Sequence, residues 1–309
     1  MMDWTDRHCR YFLRQISEAA FLYTEMITTG ALLHGDAGRH LTHHAREHPL
    51  GVQLGGSEPD DLTACARLAL EYGYDEVNLN IGCPSERVQR GAFGACLMAE
   101  PRLVAECVRA IREAVALPVT VKHRLGIDRA ASYGFVRDFV GAVSESGCRT
   151  FIVHARVAIL KGLSPKENRE VPPLDYDFVY RLKEEFPELE IVINGGISSW
   201  PEIERHLARV DGVMLGRAAY HNPWLLAAPG RLRSDVVNSM YDYAVRERAA
   251  GTALRHITRH MLGLYHGHPR ARLWRRLLSD PARLASNDPQ LLLDACDEVE
   301  AGAALAAAA

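Results

Sequence analysis

The most constraining feature of this sequence is a regular alternation of short β-rich runs with amphipathic stretches of helical spacing. Seven runs predict strands, and polar residues or glycines follow nearly every one of them. Strands and helices that alternate in this way form parallel β/α units. The predicted strands are residues 22–27, 51–55, 76–81, 119–125, 150–155, 191–194 and 212–215.

Three of the intervening stretches carry enough pattern to place a helix. In the first, Ser57 is expected to cap the helix, Pro59 lies in the first turn and Gly73 ends it. The other two, residues 103–115 and 135–143, have apolar side chains at helical spacing. Each of the three would cover one face of the predicted sheet.

Seven β/α units fit either an open doubly wound sheet or an eight-stranded barrel that lacks one strand. Functional groups at the ends of many different strands favour the barrel, because a doubly wound sheet gathers them at one crevice. The first barrel strand would have to precede residue 22, where residues 1–6 are too few and too polar to form it. We therefore predict a (β/α)8 TIM barrel over residues 1–230, with its first strand largely missing at the N-terminus.

The strand pattern stops after residue 230, and residues 231–309 predict a small all-helical domain. Apolar residues at helical spacing, such as Leu254, Ile257, Met261 and Trp274, indicate its core. Residues 231–280 also carry ten arginines against four acidic residues, in a chain whose net charge is −3. A local basic excess of this kind is typical of a surface that binds phosphates, and a solvated helical face is the alternative.

Composition excludes several classes of protein. With 48% hydrophobic and 24% charged residues, the chain is typical of globular proteins. No apolar run reaches the roughly 18 to 20 residues of a membrane span, and the N-terminus lacks the pattern of a secretory signal. Seven scattered cysteines without a C-x-x-C pair argue against disulfides and against a zinc site. We expect a reduced, cytoplasmic protein with no metal, no membrane contact and no evident protein partner.

Glycine-containing loops after the last two predicted strands indicate a ligand. Asn194, Gly195 and Gly196 follow one strand, and Gly216 and Arg217 follow the next. TIM barrels often bind phosphate at these two places, where glycines expose backbone N–H groups and an arginine adds a bidentate cation. Either loop alone would be interpreted as a turn, whereas the pair predicts a phosphate site.

Cys83 lies between Gly82 and Pro84, just past a predicted strand, where a side chain faces the barrel mouth. A thiol in that position can act as a general acid, although a lone cysteine is often only part of a core. Cys96 is the competing thiol, and its apolar neighbours favour packing.

Lys122 and His154 are the other polar groups at strand ends. A lysine inside the run 119–125 is costly to bury unpaired, so we expect an anion or an electron-rich ring beside it. His154 fits either a ligand contact or a hydrogen-bonded core histidine. The chain has no G-x-G-x-x-G motif, so a nicotinamide would not occupy a Rossmann site.

Four stretches resemble the A branch of the tRNA-dihydrouridine synthase family. They are Met-Met-Asp-Trp-Thr-Asp-Arg-His-Cys-Arg (1–10), Leu-Tyr-Thr-Glu-Met (22–26), Asn-Leu-Asn-Ile-Gly-Cys-Pro-Ser (78–85) and Gly-Leu-Ser-Pro-Lys-Glu-Asn-Arg-Glu (162–170). The resemblance extends to residue 280 and implies an FMN-binding TIM barrel followed by a helical tRNA-binding domain. It also implies reduction of uridine in the tRNA D-loop, around position 20/20a, with NADPH as reductant. The family has Ala-Pro-Met-Met at the end of its first strand, and this sequence starts at the first of those methionines.

Carried over residue by residue, the resemblance implies that Cys83 protonates C5 of the uracil after hydride from reduced FMN has reached C6. The implied FMN contacts are Met1, Gln53, Lys122, His154, Asn194, Gly195, Gly196, Gly216 and Arg217. The implied tRNA contacts are Asn80, Lys166, Arg169, Arg272 and Arg275.

The spacing of Arg272 and Arg275 supports the last two contacts independently. On a helix, residues three apart share one face, which leaves Leu273, Trp274 and Leu277 to turn inward. Two alternatives to the family function stay open at this point. One is an FMN barrel that reduces or oxidises a small pyrimidine, for which the basic helical domain would be superfluous, and the other is an RNA-binding protein without catalysis.

Overall fold

The computed structural model describes residues 1–128 and 131–307 and contains, in that part of the chain, one parallel sheet of seven strands. Each strand is hydrogen-bonded to the next along the chain. The strands are β1 (Leu22–Thr28), β2 (Leu50–Gly55), β3 (Glu76–Ile81), β4 (Val119–Arg124), β5 (Thr150–His154), β6 (Glu190–Asn194) and β7 (Gly212–Met214). All seven predicted strands are confirmed, with ends that differ by at most one residue.

The order of the strands distinguishes a barrel from a doubly wound sheet. A doubly wound sheet reverses its order at a switch point, whereas here the spatial order follows the chain order throughout. No pairing among the described residues joins β7 to β1, so the ring of strands is open between them. The prediction of a (β/α)8 barrel with one strand largely missing is confirmed.

The helices lie before, between and after the strands. In chain order they are α1 (Arg7–Ile16), α2 (Thr29–Leu33), α3 (Ala37–Leu41), α4 (Pro59–Glu71), α5 (Glu86–Arg90), α6 (Pro101–Ala114), α7 (Tyr133–Ser144), α8 (Tyr176–Glu185), α9 (Trp200–Leu207), α10 (Arg217–His221), α11 (Arg233–Ala249), α12 (Arg255–Met261), α13 (Ala271–Ser279), α14 (Pro281–Ala285) and α15 (Gln290–Ala307). Along α6 and α7 the predicted apolar stripes are buried, for example Val108, Ile111, Phe139 and Val143.

The start of α4 differs from the prediction. Glu58, not Ser57, occupies the N-cap position, and no side chain accepts a capping hydrogen bond there. Pro59 begins the helix because its fixed φ suits the first helical position and its missing N–H would be unpaired there anyway. Past the C-cap residue Tyr72, Gly73 has a φ of +83°, a left-handed conformation that favours glycine and ends the helix as predicted.

The chain divides into two compact units, each with its own core. The first contains Met1, residues 21–43 and residues 48–216, and the second contains residues 2–20, 44–47 and 217–309. The sequence pattern predicts a domain boundary at residue 230. In the structure, the C-terminal part of the second unit begins earlier, at residue 217, and the unit also includes the N-terminal helix α1. The predicted boundary followed the loss of strand pattern, which says nothing about a helix far away in sequence.

Helix α1 is buried on nearly every side, including its charged residues. Arg10 donates from Nε to Oε2 of Glu47 at 2.7 Å, and Arg14 donates from Nη2 to the Glu47 carbonyl at 2.9 Å. In the same unit α1 packs against α11 and α12. Farther along, Trp274 is fully buried and donates to the Met261 carbonyl at 2.8 Å. Among the described residues, no helix is both long and apolar enough to cross a membrane.

Candidate active site

A ladder of hydrogen-bonded polar side chains runs along β2, β3 and β4. Asn80 Nδ2 donates to Gln53 Oε1, and Gln53 Nε2 donates to Asn78 Oδ1, both at 2.8 Å. Asn78 Nδ2 then donates to Thr120 Oγ1 at 2.8 Å, and that hydroxyl donates to Glu76 Oε1 at 2.6 Å. Each amide is fixed in orientation by the next one. The ladder therefore holds Gln53 and Asn80, at its upper end, rigidly in place.

The register of β3 explains why the ladder exists. Residues two apart point to the same face of a strand, so Glu76, Asn78 and Asn80 all project into the barrel. Burial raises the pKa of the Glu76 carboxyl. The sequence identified Gln53 and Asn80 but missed Asn78 and Thr120, although alternating polar residues in an otherwise apolar strand are the pattern that would reveal them.

Cys83 is held at the carboxyl end of β3 by the top of this ladder. The Oδ1 atom of Asn80 accepts from the backbone N–H of Gly82 at 3.2 Å and from that of Cys83 at 2.9 Å. The thiol is half-buried and lies 3.5 Å from the hydroxyl of Ser85. Its position past the strand end agrees with the placement that the sequence predicts.

The competing thiol, Cys96, has a different environment. Its Sγ donates to the Phe93 carbonyl at 3.1 Å, and burial raises its pKa. A thiol that donates to a backbone carbonyl and whose pKa is raised by burial is a poor proton donor.

Two cations from β4 interact electrostatically with Cys83. Burial, and secondarily the charge of Arg124, lowers the pKa of Lys122 to about 8. Burial also lowers the pKa of Arg124 to about 10, and in both cases the proximity of Cys83 opposes the shift. Among the described residues no carboxylate forms an ion pair with either cation. The site therefore keeps a net positive charge that an anionic ligand could neutralise.

His154, at the end of β5, lies close enough to Lys122 and Arg124 to interact with both charges. Burial and the charges of Arg124 and Lys122 lower its pKa far below the ordinary value, so the ring is neutral at physiological pH. Its Nδ1 atom is buried and has no hydrogen-bond partner in the described part of the chain. A buried ring nitrogen without a partner is costly in a finished core, so His154 fits a ligand contact better than the core alternative.

The loop after β6 has the backbone that the predicted phosphate site requires. Asn194 is fixed by a 2.7 Å hydrogen bond from its Nδ2 to the Met214 carbonyl. Gly195 and Gly196 have φ values of +119° and +73°, and a Cβ atom at Gly196 would lie 2.5 Å from the Leu174 side chain. Both positions therefore need glycine, for conformation and, at Gly196, also for space.

The other predicted cofactor contacts lie on or next to the last strand end. A Cβ atom at Gly216 would lie 3.7 Å from the sulfur of Met1, so these two residues are neighbours. A Cβ atom at Gly195 would lie 3.4 Å from Nε2 of His154. The loop after β6 is therefore in contact with the histidine at the end of β5. Arg217 follows Gly216 directly, is half-buried and is the first residue of α10. It is also the residue at which the chain enters the second unit for the last time.

Residues 157–170, which we name the Lys166 loop, carry two of the predicted tRNA contacts. Lys166 is exposed, whereas Arg169 is half-buried, and its charge helps to lower the pKa of His154. Asn168 between them is fully buried. Lys166 is thus exposed to solvent, whereas Arg169 lies close to His154.

The last two predicted tRNA contacts lie in the second unit, on α13. Arg272 and Arg275 are both exposed, and Trp274 and Leu277 are buried on the opposite side. Leu273 is only half-buried, so it turns inward less than the spacing predicts. The helix presents its guanidinium groups to solvent on a basic face.

Sequence comparison identifies the family. The model of the family described as Dihydrouridine synthase matches residues 1–300. A tRNA-dihydrouridine(20/20a) synthase of Pseudomonas putida is 58% identical over 98% of this chain and 93% of its own length. Proteins of the same name from Vibrio parahaemolyticus and Escherichia coli strain K12 are 55% and 57% identical, over 97% and 94% of this chain and 95% and 88% of theirs. The chain therefore belongs to the dihydrouridine synthase family, whose members are flavin-dependent oxidoreductases that modify tRNA.

Proposed function

We propose that this protein reduces the C5–C6 bond of uridine in the D-loop of tRNA, around position 20/20a, with FMN as cofactor and NADPH as reductant. Relatives named tRNA-dihydrouridine(20/20a) synthase are 55% to 58% identical over nearly the whole chain. The observation that carries the proposal is the position of Cys83 at a strand end, on a fixed amide ladder and beside Lys122 and Arg124.

The residues present fit FMN. A buried His154 nitrogen lacks a partner, and buried cations lack carboxylates among the described residues. Gly195 and Gly196 have left-handed backbone conformations in the loop after β6, where backbone N–H groups could contact a phosphate. We propose that the phosphate is held by Asn194, Gly195, Gly196, Gly216 and Arg217, and the flavin ring by Met1, Gln53, Lys122 and His154.

FMN, when bound by these residues, would supply the hydride for reduction of C6 of the uracil. Addition of hydride there leaves negative charge on C5 and O4, which the positive field of Lys122 and Arg124 stabilises. Cys83 then gives its proton to C5, and the thiolate that remains is stabilised by the same two cations. Asn80, fixed by Gln53, orients the uridine and keeps the Cys83 backbone in place.

The base must leave its stack to reach this site, so the RNA has to be held by contacts outside it. We propose Lys166 and Arg169 in the first unit, and Arg272 and Arg275 in the second, as phosphate contacts. The division of labour is a catalytic barrel followed by a helical tRNA-binding domain, as the sequence predicts. A tRNA substrate also favours location in the cytoplasm.

The test is dihydrouridine formation by the FMN-loaded protein with NADPH and an unmodified tRNA transcript. Cys83→Ala should lower the rate by about 10² or more, because the general acid is lost, while reduction of the flavin by NADPH stays nearly unchanged. Cys96→Ala is the matched control and should retain most activity. Loss of activity in Cys96→Ala but not in Cys83→Ala would contradict the assignment, and reduction of a free pyrimidine in preference to tRNA would contradict the proposed substrate.

A further inference from the structure

The segment that carries Cys83 is attached to the Lys166 loop by two side chains, Gln89 and Arg124, through hydrogen bonds that the mechanism above does not use. We name residues 82–93 the Cys83 loop. The side chain of Gln89, on α5, donates from Nε2 to the Pro84 carbonyl at 2.7 Å and to the Leu160 carbonyl at 2.8 Å. One amide group therefore holds both loops.

Arg124 makes a second connection on the other side of the thiol. Its Nε donates to the Gly82 carbonyl at 2.9 Å, and its Nη1 donates to the Asn168 carbonyl at 2.9 Å and the Val157 carbonyl at 3.3 Å. Arg124 is only 5% exposed, so these bonds are shielded from water. A buried cation that donates to carbonyls of two loops is a strong tie between them.

The two connections enclose Cys83. Gly82 and Pro84 are its neighbours in sequence, and the carbonyl of each accepts from a side chain that also bonds to the Lys166 loop. The backbone on both sides of the thiol is therefore fixed relative to that loop. A displacement of the Lys166 loop would break these bonds or carry the thiol with it.

The Lys166 loop is stiff enough to transmit a displacement. Asn168 is fully buried, accepts from the Ile159 N–H at 2.8 Å and donates to the Ile159 carbonyl at 2.8 Å. The same amide donates to the carbonyls of Leu163 and Ser164. Lys166 and Arg169 lie on either side of this clamp, so a phosphate bound by them acts on the segment that Arg124 and Gln89 hold.

We infer that Gln89 and Arg124 are positioning residues that join the Cys83 loop to the Lys166 loop, so that RNA bound at Lys166 and Arg169 sets the position of the thiol. The inference rests on the proposed function and adds to it a role for the RNA contacts in catalysis. Lys166 then contributes to the rate of the bound complex as well as to affinity.

A double-mutant cycle on the FMN-loaded protein tests the inference. Single-turnover dihydrouridine formation is measured at saturating unmodified tRNA, after reduction of the flavin, for wild type, Gln89→Leu, Lys166→Ala and the double variant. Gln89→Leu should lower the rate about tenfold with the dissociation constant of tRNA within twofold of wild type. Lys166→Ala should lower the rate about fivefold in the wild-type background but less than twofold in the Gln89→Leu background.

Two further variants keep the result interpretable. Gln89→Glu preserves size but cannot donate to either carbonyl, so it should reproduce the effects of Gln89→Leu even if that variant folds poorly. Gln290→Leu removes an exposed side-chain amide that bonds only to Asp294 among the described contacts, and it should leave the rates unchanged.

Multiplicative effects of the Gln89 and Lys166 substitutions would overturn the inference and leave the proposed function intact. An effect of Gln89→Leu on tRNA affinity alone would overturn it as well. Absence of dihydrouridine from the wild-type protein with tRNA would instead overturn the proposed function, and this inference with it.

Discussion

Two buried arginines, one in each unit of the molecule, have their charges compensated in opposite ways. In the second unit, Arg10 pairs with Glu47 at 2.7 Å, and both side chains are almost fully buried, at 4% and 1% exposure. In the first unit, the buried Arg124 donates to the backbone carbonyls of Gly82, Val157 and Asn168 and forms no ion pair among the described residues. The first arrangement is electrically complete, whereas the second retains its charge.

The difference shows which buried charges serve structure and which serve a ligand. Removal of a charge from water costs several kcal/mol, and a pair with good geometry recovers most of that cost within the protein. Lys122 and Arg124 form no ion pair among the described residues, and the carbonyls that accept from Arg124 do not neutralise its charge, so we propose that an anionic ligand completes their environment. On this account Arg10 and Glu47 stabilise the fold, and the cations of the first unit bind the cofactor and stabilise negative charge.

The largest expected effect on stability comes from removing one partner of the buried Arg10–Glu47 ion pair. Glu47→Ala leaves Arg10 buried and unpaired, so it should lower the free energy of unfolding by about 3–5 kcal/mol, as measured in urea. Glu184→Ala, which removes a surface pair with Arg209, is the control and should cost at most about 1 kcal/mol. Equal losses in the two variants would contradict the structural role of the buried pair.

Removal of Lys122, which has no ion-pair partner among the described residues, should have the opposite effect on stability. Lys122→Met removes a buried charge without a partner, so the flavin-free protein should be as stable as wild type or more stable. Its affinity for FMN should nevertheless fall by about tenfold or more, since one charge-assisted contact is lost. Equilibrium binding and urea unfolding of the same preparation check both statements. A variant that is destabilised but binds FMN normally would reverse the distinction between the units.

The pH dependence of stability sharpens the same point. Burial lowers the pKa of Lys122 to about 8 in the folded protein, below its ordinary value of 10.5. Between these values the unfolded chain holds a proton that the folded protein has released, so stability from this group rises with pH and is constant below about pH 8. The difference in unfolding free energy between wild type and Lys122→Met should therefore change between pH 7.5 and pH 10. A difference that is independent of pH would contradict this.

The smallest expected effect concerns the exposed arginines of the second unit. Arg272→Ala with Arg275→Ala should weaken tRNA binding several-fold and reduce the slope of log K against log salt by about 0.7 to 0.9 per lost contact. Arg248→Ala with Arg137→Ala removes the same charge from exposed positions near carboxylates and serves as the control. A double variant that folds and keeps the wild-type salt slope would show that this face does not bind RNA.

The sequence predicted those parts of the molecule that depend on local pattern. The seven strands follow from short apolar runs, and Cys83, Lys122 and His154 follow from their positions at strand ends. Helix α1 was not predicted, because its buried face includes Arg10 and Arg14, whose compensation by Glu47 requires a contact far along the chain.

The connections within the site could not be predicted for the same reason. Asn78 and Thr120 belong to neighbouring strands and meet only because of the strand register. Gln89 is a polar residue in an unremarkable short helix, and its importance appears only when both of its carbonyl acceptors are known. Similarly, the amide of Asn168 is informative only after folding, when the loop closes around it.

The most direct test of the account is a comparison of FMN with riboflavin, which lacks the phosphate. Affinities for the flavin-free protein are measured by equilibrium dialysis at one salt concentration. We expect two or three charge-assisted hydrogen bonds to the phosphate from the region of Gly195, Gly196 and Gly216. FMN should therefore bind at least about 10² times more tightly than riboflavin. Gly196→Ala, whose new Cβ would meet Leu174, should remove most of that advantage. Equal affinities of the wild-type protein for FMN and riboflavin would contradict the claim that the loops after β6 and β7 hold the phosphate of an anionic cofactor.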